Sequence, residues 1–157
     1  MADVTVRLAT EEDVPQILPL IQSLVASYGE SLPTESAMAE IVKQQINTDN
    51  HEYVVAETKG HIFGCLLVCY YLSTWAAAPY AMLQDFFIEG EWRSQGVGST
   101  MLAYARDRAR IRGCARIDLA IQAQRTEAKR FFRRWGFQRT DREMMRMMLT
   151  PSRNSRH

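Results

Sequence analysis

The run Leu83-Gln84-Asp85-Phe86-Phe87-Ile88, followed by Arg93-Ser94-Gln95-Gly96-Val97-Gly98-Ser99, has the composition of a buried strand, a short turn and a glycine-rich entry into a helix. The chemistry such a segment serves is anion binding. Amides in the first turn of a helix lack intrahelical acceptors and sit at the positive end of its dipole, so the N–H groups of Gln95, Gly96, Val97 and Gly98 can converge on a diphosphate. The two glycines permit close approach of the backbone, and Arg93 can add a charge-assisted bond. Spacing predicts the helix from Val97 to Ile111, with Val97, Met101, Leu102, Ala105 and Ala109 apolar, arginines 106, 108, 110 and 112 crowding its last turns, and Gly113 ending it. A Walker loop would need Lys and Ser or Thr after its last glycine, and a Rossmann fingerprint a third glycine inside an early βαβ unit; neither is present. The bland alternative is a tight turn with no ligand.

A second motif lies downstream, Arg125-Thr126-Glu127-Ala128-Lys129-Arg130-Phe131-Phe132-Arg133-Arg134-Trp135-Gly136-Phe137. Together with Arg-x-x-Gly-x-Gly after an apolar strand, it resembles the GNAT family of acyl-CoA-dependent N-acetyltransferases. The nearest branch by resemblance is spermidine/spermine N-acetyltransferase, through Tyr70-Tyr71-Leu72-Ser73-Thr74-Trp75, Leu83 to Ile88 and Arg93 to Ser99. Two chemical positions depart from the family pattern: Arg125 stands for an Asn, and Phe132 for the Tyr whose phenol usually protonates the thiolate. A third departure is Gln84, where that branch carries a glutamate that helps deprotonate an alkylammonium of free pKa roughly 10.4.

The resemblance implies acetyl-CoA as co-substrate, held by Phe86, Ile88, Arg93, Ser94, Gln95, Gly96, Val97, Gly98, Ser99, Arg125, Ala128, Phe131 and Phe132. It implies a bulge in the strand before the cradle, splaying Tyr80 to Ile88 from a parallel strand Ala115 to Ile121, with a backbone N–H near Phe87 polarising the thioester. Gln84 cannot act as a base, and Asp85 serves only where the bulge turns it inward, since neighbouring strand residues point to opposite faces. Tyr28, Glu30, Trp75 and Gln84 are the acceptor-side candidates, Trp75 as an aromatic face for a cation. The expected reaction is direct acetyl transfer to a primary amine of a small molecule, a polyamine or diamine or an amino acid derivative. A degenerate domain that binds acyl-CoA as a sensor, and a protein or peptide acetyltransferase, remain alternatives. A homodimer is expected from the branch and from the apolar run Met144 to Leu149.

The elements that must position these residues follow from periodicity. Val4, Val6 and Leu8 alternate as a strand, and Thr10 with Asp13 marks a helix start. Val14, Ile17, Leu18, Ile21, Leu24 and Val25 then keep helical spacing to Tyr28-Gly29, with Pro15 in the first turn. Ala37, Met38, Ile41, Val42 and Ile46 give a second amphipathic helix. Strands are predicted at Tyr53 to Ala56, Ile62 to Leu72 and Tyr80 to Ile88, the first pair joined by Lys59-Gly60. After the cradle helix come a strand Ala115 to Ile121, a helix Glu127 to Trp135 closed by Gly136, and a last hairpin of Phe137 to Arg139 with Met144 to Leu149. This order is that of an α/β (α+β) GNAT fold, a single domain over residues 1–150 with a mixed central sheet and a disordered tail over 151–157.

At 157 residues the chain is long enough for a sizeable core, and 19 basic against 18 acidic residues leave a formal net charge of +1. That balance argues against nucleic acid as partner. No apolar run approaches the roughly 20 residues of a membrane span, and Met1-Ala2-Asp3-Val4 does not read as a signal sequence, so a cytoplasmic protein with no membrane partner is expected. Cys65 and Cys69 share a strand face as small core residues, and the three histidines show no ligand spacing, so no metal is expected.

Overall fold

The structure, a computed structural model, describes residues 3–150. The expected tail over 151–157 lies outside the described residues. Two units are distinguished by their internal contacts, Met1–Asp118 and Leu119–His157.

The first unit is built on strands β1 (Thr5–Leu8), β2 (His51–Thr58), β3 (His61–Ser73) and β4 (Ala78–Ile88), and β5 (Ile117–Leu119) completes a sheet of order β1-β2-β3-β4-β5. β1 to β4 are antiparallel to their neighbours, whereas β5 runs parallel to β4. The long strands are rich in Val, Leu, Tyr and Phe, which suit a pleated surface covered on both sides. Helices α1 (Val14–Ser27) and α2 (Glu35–Ile46) cover one face: Ile17, Leu18, Leu20, Ile21 and Val42 cluster with Tyr53, Val55, Cys65, Leu67 and Cys69. Helix α3 (Val97–Ile111) belongs to the other face, because Gly64, which neighbours Cys65 and so points the opposite way, lies under Met101. A Cβ at Gly64 would stand 3.0 Å from the Met101 sulfur and 3.3 Å from the Ala56 Cβ, so the close approach of α3 requires glycine there.

Two ion-pair clusters pin these layers. Arg7 on β1 binds Asp13 (2.7 and 2.9 Å) and Glu57 on β2 (2.8 Å), while the Thr10 amide donates to the same Asp13 carboxylate at 2.7 Å, which fixes the entry to α1. At the other end of the sheet, buried Glu52 accepts from Arg108 on α3 and from the Tyr70 hydroxyl. Arg112 lies over the Tyr70 ring at 3.9 Å and donates to the Asp49 carbonyl at 2.7 Å. Burial would raise the Glu52 carboxyl, and the bonds from Arg108 and Tyr70 outweigh it, holding the group below the usual carboxylate range.

In the second unit, α4 (Thr126–Arg134) ends in a Schellman arrangement: the Phe137 amide donates to the Phe132 carbonyl and that of Gly136 to Arg133, each at 3.0 Å. The Phe132 ring packs edge-on against Phe131 at 5.1 Å and Phe137 at 5.4 Å.

Two expectations are corrected. The strand predicted from Ala115 to Ile121 is regular only over Ile117–Leu119. Ala115 and Arg116 still bond to Pro79 and Ala81, but the chain turns after Leu119, and Arg125 bonds back to Gln122 through both backbone and side chain. The hairpin of Phe137 to Arg139 with Met144 to Leu149 is absent: residues 137–150 form no strand. Met144, Met145, Met147, Met148 and Leu149 are all exposed, whatever their parity, so this run has no buried face to set a register. Unbranched methionine also adds little strand preference.

Because the Glu52 carboxyl is depressed in the fold, its contribution to stability is complete above the ordinary carboxylate pKa and lost as the pH falls through the native value. Glu52→Gln is expected to cost about 3 kcal/mol at pH 7, as breaking one side of a buried pair does. It should also flatten the acid limb of stability below about pH 4.5, measured by denaturant melts across pH.

Candidate active site

β4 pairs with β3 in register from Ser73↔Ala78 to Leu67↔Gln84, and again at Cys65↔Phe87 and Gly64↔Ile88. Between these stretches two residues, Asp85 and Phe86, oppose the single Leu66, so β4 carries a bulge. Asp85 adopts φ +51, a left-handed conformation that costs a non-glycine residue roughly 1 to 2 kcal/mol and that Asp tolerates better than most. The bulge turns Asp85 inward. Its carboxyl is desolvated and acts electrostatically on Tyr53, Cys65 and Cys69, which lie on the α1 and α2 face. Burial raises the Asp85 carboxyl above its usual range. Gln84, paired with Leu67, is on the same face and exposed.

Past Ile88, a single 3-10 turn over Gly90–Trp92 carries the chain to α3. Trp92 stacks on Phe63 at 4.1 Å, and the Glu89 amide bonds to the Phe63 carbonyl at 2.9 Å, tying the turn to the sheet. Ser94 (φ +61) and Gly96 (φ +82) then take left-handed conformations on either side of Gln95, and Gly96 is the N-cap of α3. Among the described residues, none accepts a hydrogen bond from the amides of Gln95, Gly96, Val97 or Gly98. The first turn of α3 holds no acidic residue, and its last turn holds Arg108 and Arg110. No heavy atom lies within 4 Å of a Cβ built on Gly96. These open amides at a 15-residue helix fit the diphosphate of CoA. Arg93 donates from Nε to the Ile88 carbonyl at 2.8 Å, and its guanidinium lies 5.1 Å from the Phe87 ring centroid. It thus braces the end of β4 beside the cradle.

The remaining candidates are distributed along the chain. Tyr28 and Glu30 follow α1 in an exposed loop, and Trp75, 88% exposed, is in the turn between β3 and β4. Arg125, Ala128, Phe131 and Phe132 belong to the second unit, at and within α4. Sequence reasoning passed over Tyr80 and Arg116 as site residues. Tyr80 pairs with Tyr71 across the β3–β4 hairpin, ring centroids 5.6 Å apart, and the Arg116 guanidinium lies 4.1 Å from the Tyr80 centroid. Counting back from the hairpin turn would have aligned the tyrosines; nothing local signals Arg116.

The cysteines are poor nucleophiles. Burial pushes the Cys69 thiol up to about 11, with the Asp85 charge adding to it, and raises Cys65 and Cys114 as well. Among the described residues, no group of three His, Cys, Asp or Glu is placed to hold a metal ion, and no helix is long and apolar enough to cross a membrane.

Residues 18–137 match the Acetyltransferase (GNAT) family. The chain belongs to this family. Among curated relatives, the S-alkylcysteine N-acetyltransferase of Bacillus subtilis (strain 168) is 26% identical over 110 residues, which cover 69% of this chain and 62% of that protein. The chain spans about six tenths of the length of the first curated relatives it matches. Among solved structures, a transcriptional regulator from Bacillus halodurans C-125 superposes with TM-score 0.81 at 29% identity, covering 94% of this chain and 100% of that one. A predicted acetyltransferase from Clostridium acetobutylicum, crystallised with acetyl-CoA, superposes with TM-score 0.79 at 16% identity over 94% and 97% of the two chains, a likeness of fold.

Two outcomes follow. Gly96→Ala should lower CoA affinity about tenfold while costing only about 1 kcal/mol of stability, read by calorimetric titration and thermal melts. Asp85→Asn should raise the melting temperature at pH 7 to 8. A carboxyl whose native pKa is raised stabilises the fold at low pH and loses that contribution as the pH climbs through the native value, so the neutral amide relieves a half-buried, desolvated charge.

Proposed function

We propose that the protein is an acetyl-CoA-dependent N-acetyltransferase that transfers an acetyl group directly to a primary amine of a small molecule. The observation that carries this reading is one strand, β4, which holds a half-buried carboxylate on its bulge and leads through a single turn to the open amides of Gln95 to Gly98. The amides of that cradle would hold the diphosphate of acetyl-CoA, which when bound supplies an activated acetyl thioester. Asp85 receives a proton from the acceptor ammonium, freeing the nitrogen lone pair to form the new N–C bond as the C–S bond breaks. The backbone N–H of Phe87 is assigned to the thioester oxygen. Phe132 stands in the sequence where the family pattern has its proton-donating phenol and cannot donate a proton, so the thiolate is protonated from solvent or leaves unprotonated. The raised thiols of Cys65 and Cys69 favour direct attack over an acyl-cysteine intermediate.

Within small amines, the resemblance of Tyr70 to Trp75 and Leu83 to Ile88 to the spermidine/spermine branch favours a diamine or polyamine, whereas the S-alkylcysteine relative favours an amino acid derivative. A second reading, an acyl-CoA-binding module without efficient turnover, is favoured by Gln84 and Phe132, neither of which can donate or accept a proton as the family's usual residues do. The proposal includes a cytoplasmic homodimer, for which the exposed run Met144 to Leu149 is the motivating surface. Light scattering at micromolar concentration giving only monomer would remove the dimer.

CoA release should be measured with a thiol reagent across diamines, amino acid derivatives and peptides. Turnover with a sequential kinetic pattern is expected. Asp85→Asn should lower kcat/KM about 10²- to 10³-fold, and the wild-type rate should fall as the pH drops through the raised Asp85 value. Tight CoA binding with no turnover on any acceptor would favour the module instead, and a ping-pong pattern would contradict direct transfer.

A further inference from the structure

The face that leads away from Asp85 has a definite chemistry. β3 and β4 together carry one carboxylate, Asp85 itself. Beyond Gln84 on the same face come Met82 and then Tyr80, with Cys69 and Tyr71 opposite them on β3. α1 and α2 cover the inner part of this surface, packing on Cys65, Leu67 and Cys69, while Gln84 and Tyr71 stay open to solvent. At the far end Arg116, held by the bond between its carbonyl and the Ala81 amide, lays its guanidinium on the Tyr80 ring. Asp118 accepts from Arg116 Nε at 3.0 Å, and among the described residues nothing accepts from its two terminal nitrogens. The fork of an otherwise immobilised arginine is therefore available, 45% of its side chain being exposed. Gln84 lies four residue steps beyond Tyr80, about 13 Å at roughly 3.3 Å per residue.

We propose that the acceptor is an elongated amine with an anionic end, a carboxylate or a phosphate, about 10 to 15 Å from the nitrogen that is acetylated, anchored by the Arg116 guanidinium on Tyr80. This rests on the reading of Asp85 as the amine's end of the site. A chain of cations fits the surface poorly: its second ammonium would meet a guanidinium where it needs a carboxylate, and Asp118 is already engaged by that guanidinium. Tyr71 and Tyr80 supply flat apolar walls along the way, which suit a peptide-like or alkyl spacer.

The test is calorimetric, on the full chain saturated with CoA, so that binding is read without turnover. Triglycine is compared with triglycine amide, and 6-aminohexyl phosphate with hexylamine; spermidine is the cationic control. The wild type should bind at least one anionic member about tenfold more tightly than its uncharged-end partner. The pair that shows the preference tells carboxylate from phosphate. Arg116→Gln should reduce the preference to about twofold or less with CoA affinity and melting temperature unchanged, and Arg116→Lys should restore part of it. No preference in the wild type, a preference that survives in Arg116→Gln, or spermidine binding more tightly than every anionic probe would overturn the proposal. CoA release assayed in parallel separates the two readings: a preference without acetyl transfer would leave the acceptor class standing and remove the enzymatic reading.

Discussion

Two residues of β4 face one residue of β3 at the bulge, and both halves of the candidate site depend on that mismatch. Without it, strict alternation would put Asp85 on the face opposite Gln84, toward α3, where a carboxylate would meet apolar helix side chains. With it, Asp85 takes a left-handed conformation and its carboxyl joins the face of Tyr53, Cys65 and Cys69. The bulge also restores register in time for Phe87 and Ile88 to pair with Cys65 and Gly64, which delivers the chain to the turn stacked on Phe63. The strain at Asp85 is of the order of 1 to 2 kcal/mol, a cost that the long β3–β4 ladder on either side can hold in place.

The cradle depends on a second, more distant constraint. Its amides are useful only if α3 is fixed along its axis, and that is set at the opposite end of the helix by Arg108 and Arg112 around buried Glu52 and Tyr70. Gly64 fixes the depth, since a Cβ there would stand only 3.0 Å from the Met101 sulfur. The same arginines sit at the negative C-terminal end of the helix, while its first turn holds no acidic residue, so the positive N-terminal end is left open to an anion.

Much of this was legible in the sequence. Helical spacing located α1, α2, α3 and α4 to within a residue or two, because each has an apolar stripe, helped at α1, α3 and α4 by signals such as Thr10, Gly96 or Gly136. The open amides of Gln95 to Gly98 were legible for the same reason, since a backbone feature at a helix start is marked by glycines. What stayed hidden depends on long-range register. Whether Asp85 faces inward turns on how Leu66 pairs across the hairpin, and Arg116 reaches Tyr80 only because β5 starts alongside Pro79 and Ala81. The run Met144 to Leu149 misled for a complementary reason, since apolar composition alone does not specify a strand when neither parity has a surface to bury.

The most direct test of this account is the titration of the Asp85 carboxyl by carbon-detected NMR, with the resonance assigned through Asp85→Asn and the CoA complex followed alongside the free protein. A midpoint raised above the ordinary aspartate range, coinciding with the acid limb of kcat/KM, is the result expected for a half-buried proton acceptor on the bulge. An ordinary midpoint, or an acid limb that does not move with it, would contradict the central claim.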